Sequence, residues 1–452
     1  MVSFIVDLCA FSPNGLNLAC VTQTEKRILI RRCDEPNAKL NVEHKFPVHT
    51  PVDRIEWSPD SGFIAASCRK QAVICIYSII YPNWKCKLSF GVVDQVGGIG
   101  LEGFCWTPDA RHLLCVSSQY IFLSVWSIRN KCAQYIKDIW RIAQGYSFSS
   151  DGSLLAIAHA NEQYKPYIAV YSCKTWTKEN SFSVASRDLA GISWAPSCDK
   201  DILVCWDSNL FSNLYIYDIH KGHLLKHYSP HGLSSGFKSV DWTSGGHFLV
   251  CTTHRNEIHV LNGLTFGVLI HEVLEPSYDN PVQYEIFYEP SRTTENPKLG
   301  MSKYHRLSKW PPTYLEDPFT TNMKKGSKSA LPNWTVLVKI SEDGNYLACL
   351  THLYSHVVWV YDLISARLAA ILIHQNSVID IGWHPYSMKL VILCRNSSGL
   401  LHFWTPSNSP SPYIHSTINT PNNLESANVQ WSPQGNFLTI RDQNMLQMLT
   451  NC

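Results

Sequence analysis

The sequence contains no run of 18 apolar residues, no CxxC pair and no GxxxxGK[ST] loop in its 452 positions. The first absence excludes a membrane-spanning helix, and the second excludes the common redox and zinc spacings. The third excludes a phosphate-cradling P-loop. The glycine cluster VDQVGGIG at 93–100 lacks a following helix and reads as a connection. Charge of one sign is also lacking. A formal net charge of +2 gives no long-range attraction to nucleic acid or membrane. The N-terminal stretch MVSFIVDLCAFSP has no basic region before its apolar residues and carries Asp7, so it is not expected to act as a signal peptide.

The 19 histidines are dispersed. His254 and His259, five apart across a strand turn, read as a hydrogen-bonded surface pair rather than metal ligands, so no metal and no cofactor is expected. Sixteen cysteines are present, scattered singly. Cys68, Cys75, Cys105, Cys115, Cys251 and Cys349 sit inside apolar strand-like runs and read as small buried hydrophobes of a reducing compartment.

A repeated unit dominates what is there. A strand ending in Trp or Phe, then Ser or Thr, a polar turn and a second apolar strand recur nine times: FSPNG at 11–15, WSPDS at 57–61, WTPDA at 106–110, FSSDG at 148–152, WAPSC at 194–198, WTSGG at 242–246, ISEDG at 340–344, WHPYS at 383–387 and WSPQG at 431–435. Seven of the eight spacings lie between 42 and 49 residues, the length of a four-stranded propeller blade. One such sheet cannot bury both its faces, so the repeats must stack. The sequence therefore predicts an all-β WD-repeat β-propeller over 1–452, one large ring of about nine four-stranded blades; seven or eight regular blades with irregular extra strands is the alternative. The third-strand ends, such as VYDL at 360–363 and IYSI at 76–79, keep the Asp of the Trp-Asp signature only at Asp218 and Asp362.

The remaining spacing, the sixth in order, is 98 residues and sets off 276–333 as a basic, largely irregular insertion. It has one alternating run, VQYEIFYEP, and then no strand pairs. Residues 291–334 carry a net charge of +5, with Trp310, Lys324, Lys325 and Lys328 as candidate contacts for an acidic surface or RNA. A second segment, 405–423, is rich in Ser, Pro and Asn and reads as a mobile loop, with Ser409 and Ser411 as candidate sites of proline-directed phosphorylation. The short termini supply ring closure poorly, since only Met1 to Phe4 precede the first strand. Further candidate partner contacts are Trp84 and Lys87, the connector residues Trp140 and Arg141, Trp206 and Asp207, and Lys238. Aromatic and charged residues on a rigid scaffold make plausible hot spots.

Longer stretches carry a more specific resemblance. IEWSPDS at 55–61, the Pro82, Trp84, Cys86 and Lys87 set, CWTPDARH at 105–112, DLAGISWAP at 188–196, GFKSVDW at 236–242 and Arg367-Leu368 with Trp383 and Pro385 follow one another in the order of the WD repeat-containing protein 8 family. The chain resembles that family over about nine-tenths of its length. The resemblance implies a non-catalytic scaffold at the centrosome or spindle pole, in the cytoplasm and cytoskeleton. Its implied partner is a coiled-coil anchoring protein, with a minus-end-directed kinesin and gamma-tubulin-associated proteins beside it. The implied roles are anchoring of microtubule minus ends, spindle organisation and ciliogenesis, with no contact to DNA or membrane. Two other functions fit a propeller with a basic loop: an RNA- or ribosome-binding propeller in the style of translation initiation factors, and a substrate adaptor of a ubiquitin ligase.

Overall fold

The computed structural model describes residues 2–22, 24–33, 41–90, 100–130, 132–196, 201–208, 211–230, 236–275, 284–289, 302–303, 305–307, 336–395, 400–406, 413–416, 427–442 and 445–450. Nearly all regular structure among them is strand, and a single 3-10 turn covers Ser118–Tyr120. Nine sheets form, each with four strands of antiparallel core. The first eight span 8–47, 54–89, 101–136, 146–183, 189–228, 237–273, 336–373 and 378–416; the ninth consists of Asn428–Trp431, Phe437–Asp442, Met445–Thr450 and Val2–Ile5.

The recurring pentapeptide is the turn between the first and second strand of every sheet, and its residue types have definite work there. A buried hydroxyl accepts the backbone N–H five residues on: Asn17 to Ser12, Phe63 to Ser58, His112 to Thr107, Leu154 to Ser149, Phe248 to Thr243, Tyr346 to Ser341 and Phe437 to Ser432, at 2.8–3.1 Å. The same hydroxyl donates to the Asp two residues on, as Ser58 does to Asp60 and Thr107 to Asp109, both at 2.5 Å. This local network closes the turn without water. In the eighth sheet His384 replaces the hydroxyl, and its Nδ1 accepts the N–H of Tyr386 and Ser387.

The aromatic residue before that turn links consecutive sheets. The indole N–H of Trp57 donates to Ala10 O, that of Trp106 to Glu56 O and that of Trp383 to Lys339 O, at 2.9–3.2 Å. Each bond reaches the same level of the preceding sheet, one repeat back. Corresponding strands of neighbouring sheets therefore run side by side in register. The loosely kept Asp of the signature is explained by the turn it caps: Asp218 and Asp362 oxygens accept turn N–H groups, and Ser78, Ser127 and Asn262 do the same. Any short side chain with an acceptor oxygen serves.

The described chain divides into two compact units, one of 2–229, 432–437 and 443–452, the other of Met1, 230–431 and 438–442. In the first unit the cores lie between sheets: Ala19, Ile28, Trp57, Ile64 and Tyr77 pack together, and so do Leu114, Val125, Leu155 and Ile157. Burying apolar side chains on both faces of every sheet supplies the main driving force. Val2–Ile5 pairs antiparallel with Met445–Thr450, Val2 opposite Met448. This corrects the expectation of poorly supplied closure, because the first residues are themselves a strand.

In the second unit the sixth and seventh sheets are direct neighbours despite the 98-residue spacing. Ser244 Oγ donates to Glu342 O at 2.6 Å, and Gly344, at φ +72°, lies against Thr243. The intervening stretch is more regular than the sequence suggests. Glu285–Tyr288 adds a parallel strand to Arg367–Ile373, and His305–Leu307 pairs antiparallel with it. Ser302–Lys303 pairs with Tyr413–Ser416 in the eighth sheet. The expectation of no strand pairs after VQYEIFYEP is thus corrected: extended pairs of two to four residues carry too little alternation to show in sequence. Tyr413–Ser416, within the expected 405–423 loop, is the fourth strand of the eighth sheet. Nine of fourteen described cysteines, including Cys68, Cys115, Cys251 and Cys349, are buried, whereas Cys75 and Cys105 are only half-buried, and all fourteen are free thiols.

Candidate protein-interaction surface

In a four-stranded meander the second-to-third turn and the connection to the next sheet emerge at the same end. In the first unit the third, fourth and fifth sheets follow one another, with Gly152 against Pro108 and Trp194 N–H donating to Ser147 Oγ at 2.9 Å. The end they share bears Ile121, Tyr164 and Phe211, one from each second-to-third turn, at 48%, 85% and 44% exposure. Tyr164 stands out furthest. Its turn is tied by Asn161, whose Oδ1 accepts the N–H of Gln163 and Lys165. Its φ of +53° lies in a region that bulky residues occupy at a cost of about 1 kcal/mol or more. An aromatic ring held in water by a strained backbone gains nothing for the fold.

Between the third and fourth sheets the connector carrying Trp140 and Arg141 reaches this same end. It is pinned on both sides. Trp140 N–H donates to Ala158 O, Ala160 N–H to Asp138 O and Ile192 N–H to Gln144 O, at 2.7–3.0 Å. The Trp140 indole N–H donates to Leu189 O at 2.9 Å, and its half-buried ring packs on the core of the fourth and fifth sheets. Arg141 next to it is exposed. The arrangement is a stiff platform with the Arg141 guanidinium and several aromatic or aliphatic side chains at its rim, suited to binding a protein with little ordering cost. Behind it lies a small cavity lined by Val116, Tyr120, Leu123, Trp140 and Ile142, with room for about one water and none for a cofactor.

The other sequence-predicted contacts are placed differently. Trp84 is half-buried, edge-on to Phe63 at 5.4 Å, while Lys87 is exposed on the fourth strand of the second sheet. Lys238 is half-buried on the first strand of the sixth sheet, where burial lowers its pKa. Trp206 and Asp207 are 2% and 1% exposed, which corrects their expected place on the surface. Both lie on a strand covered on its two faces. Trp206 rests on Gly191, and the Asp207 carboxylate accepts from Ser186 Oγ, from Asn213 Nδ2 at 2.9 Å and from Tyr215 OH at 3.4 Å. Burial pushes the Asp207 carboxyl up. Trp310, Lys324, Lys325, Lys328, Ser409 and Ser411 lie outside the described residues.

Sequence reasoning missed Ile121, Tyr164 and Phe211. The available signal was a large apolar residue inside a polar turn, as in NEQYKP at 161–166. It also misread His259. That ring is buried, stacks on His271 at 4.4 Å and faces Glu257 rather than pairing with His254 at the surface.

Comparison with known proteins agrees with the architecture. No family model matches the chain. It is similar to the WD repeat-containing protein WRAP73 of Mus musculus, 28% identical over 424 residues that cover 90% of this chain and 86% of that protein. An uncharacterized WD repeat-containing protein of Schizosaccharomyces pombe is 24% identical over 406 residues, covering 85% and 77%. Among solved structures, the C-terminal WD40 domain of Sif2 aligns at 13% identity over 92% of this chain and 97% of that one, with a TM-score of 0.51. The Dos1 propeller aligns at 12% identity over 89% and 93%, with a TM-score of 0.54. Likeness at that identity speaks for the fold alone. The chain has the all-β WD40 propeller fold, with nine blades.

Proposed function

We propose that this propeller is a non-catalytic scaffold of the WD repeat-containing protein 8 type, acting at the centrosome or spindle pole. The observation that carries the scaffold reading is the exposed end of the third to fifth sheets, where Arg141, Tyr164, Ile121 and Phe211 stand on a pinned backbone. A coiled-coil anchoring protein fits such a rim, since its surface offers acidic residues to Arg141 beside apolar stripes for the rings. The pole assignment is supported by the ordered anchors and by similarity to WRAP73 along most of both chains. Through that partner the protein would hold microtubule minus ends, with a minus-end-directed kinesin and gamma-tubulin-associated proteins joining the assembly and with a role in spindle organisation and ciliogenesis. The basic stretch within 276–333 and proline-directed phosphorylation at Ser409 and Ser411 would modulate this attachment.

The test pairs localisation of a tagged copy with affinity purification and mass spectrometry, in wild type and in an Arg141→Glu, Tyr164→Ala double variant. Focal signal at spindle poles and recovery of a coiled-coil pole protein, both lost in the double variant, are expected. Diffuse signal with ribosomal proteins or with a ubiquitin ligase core in the eluate would replace the proposal with one of those functions.

A further inference from the structure

Four donor groups from four separate segments meet inside the second unit. Glu289 follows the added strand Glu285–Tyr288, and His374 follows Arg367–Ile373, the strand it pairs with. Cys394 ends the second strand of the eighth sheet, and His402 lies on the third, Leu400–Trp404. All four residues are buried, with His374 and Cys394 at 0% exposure. The two imidazole rings are 4.9 Å apart and nearly perpendicular, at 76°. One ligand atom each from His374, Cys394 and His402 lie within 4.8 Å of one another. The Glu289 carboxylate faces both rings, 3.9 Å from His374 Nδ1 and 4.0 Å from His402 Nε2.

We propose that Glu289, His374, Cys394 and His402 form a closed site for a divalent zinc-like ion, which fastens the Glu285–Tyr288 strand to the seventh and eighth sheets. Two nitrogens, one sulfur and one oxygen are the donor types zinc takes. With bonds of about 2.0–2.3 Å, neighbouring ligand atoms of a tetrahedral zinc lie about 3.3–3.8 Å apart. The 3.9 and 4.0 Å separations are close to that edge, and the 4.8 Å limit is within reach of small rotamer shifts. Glu289 is held for the role, since Gln375 N–H donates to its Oε2 at 3.1 Å and its own N–H donates to Ile373 O. A cation bound there takes Cys394 as the thiolate, whose proton leaves to solvent. Four protein ligands leave no open position, which makes the site structural rather than catalytic.

The test uses the full chain, purified with zinc and then dialysed. About one zinc per chain is expected. Cobalt substitution should give a thiolate-to-cobalt charge-transfer band that Cys394→Ser removes and that His271→Ala, in the separate Glu257, His259 and His271 group, leaves in place. X-ray absorption at the zinc edge of wild type needs no variant, and should read one sulfur at about 2.3 Å beside nitrogen and oxygen at about 2.0–2.2 Å. Zinc-supplied protein that retains no stoichiometric metal, or metal without sulfur in its shell, would overturn the site and leave a plain polar cluster. Stoichiometric metal with no sulfur in its shell that His271→Ala removes and Cys394→Ser leaves in place would move the ion to the sixth sheet.

Discussion

Trp140-Arg141 and Trp206-Asp207 look alike in sequence, each a tryptophan followed by a charged residue in a strand-rich context. Their fates are opposite. Trp206-Asp207 lies on the second strand of the fifth sheet, where alternation sends the two side chains to different faces and both faces are covered. The carboxylate has to be met by neutral donors, which Ser186, Asn213 and Tyr215 supply. Trp140-Arg141 lies in a connector, so the indole anchors the backbone and the guanidinium is left in water. Position in the repeat, and not residue type, decides which charged residue can meet a partner.

The strongest way to break the buried pair is to unseat Trp206. A Cβ added to Gly191 would fall 2.1 Å from the indole Cζ2, in a wall that cannot retreat because the ring is enclosed. Gly191→Ala is expected to lower stability by about 3 kcal/mol, the upper part of the usual overpacking range. Denaturant melts of Gly191→Ala with and without Trp206→Phe check the cause, since the smaller ring should restore part of the loss. An unchanged midpoint in the single variant would show that the contact is relaxed.

Removing the charge comes next. Asp207→Ala leaves buried donors of Ser186 and Asn213 without their acceptor, at a cost of about 2 kcal/mol. Asp207→Asn keeps shape and polarity and should cost less. The pH dependence separates the two effects. The folded carboxyl sits above its ordinary value of 3.8, so the folded state holds more protons than the unfolded one from pH 3.8 up to that raised pKa. This group's contribution therefore falls as pH rises through that window, and is greatest in acid. Wild type should gain on Asp207→Asn as pH is lowered, and a pH-independent difference between the two melts would contradict the assignment.

How much of this was legible in sequence follows the same division. The turn chemistry of Ser58, Asp60 and Trp57 repeats because every sheet needs it, so spacing alone revealed the sheets and their number. Glu289, His374, Cys394 and His402 stand up to 113 residues apart with no recurring interval, and only the stacking of two sheets and an added strand brings them together. Tyr164 was hidden for a related reason: its turn differs from the corresponding turns of other repeats, so no pattern marks it. Repetition exposes what holds the sheets, and conceals what distinguishes one sheet's end from another's.

Two smaller effects separate anchor from contact within the connector. Trp140→Phe keeps most of the ring burial and loses the N–H bond to Leu189 O, which should lower stability by about 1 kcal/mol. Arg141→Ala removes a side chain that lies in solvent, so the melting midpoint should stay within about 0.5 kcal/mol of wild type. Affinity for the captured partner should nevertheless fall several-fold, and the loss should shrink as salt rises, because a rim charge acts partly through long-range attraction. Arg141→Lys tells the two contributions apart: it keeps the charge and the steering but not the planar fork. If Lys restores binding fully, the guanidinium supplies only charge to the rim. If it restores the salt dependence without the affinity, Arg141 makes a directed contact, and the pinned backbone beneath it exists to aim that side chain.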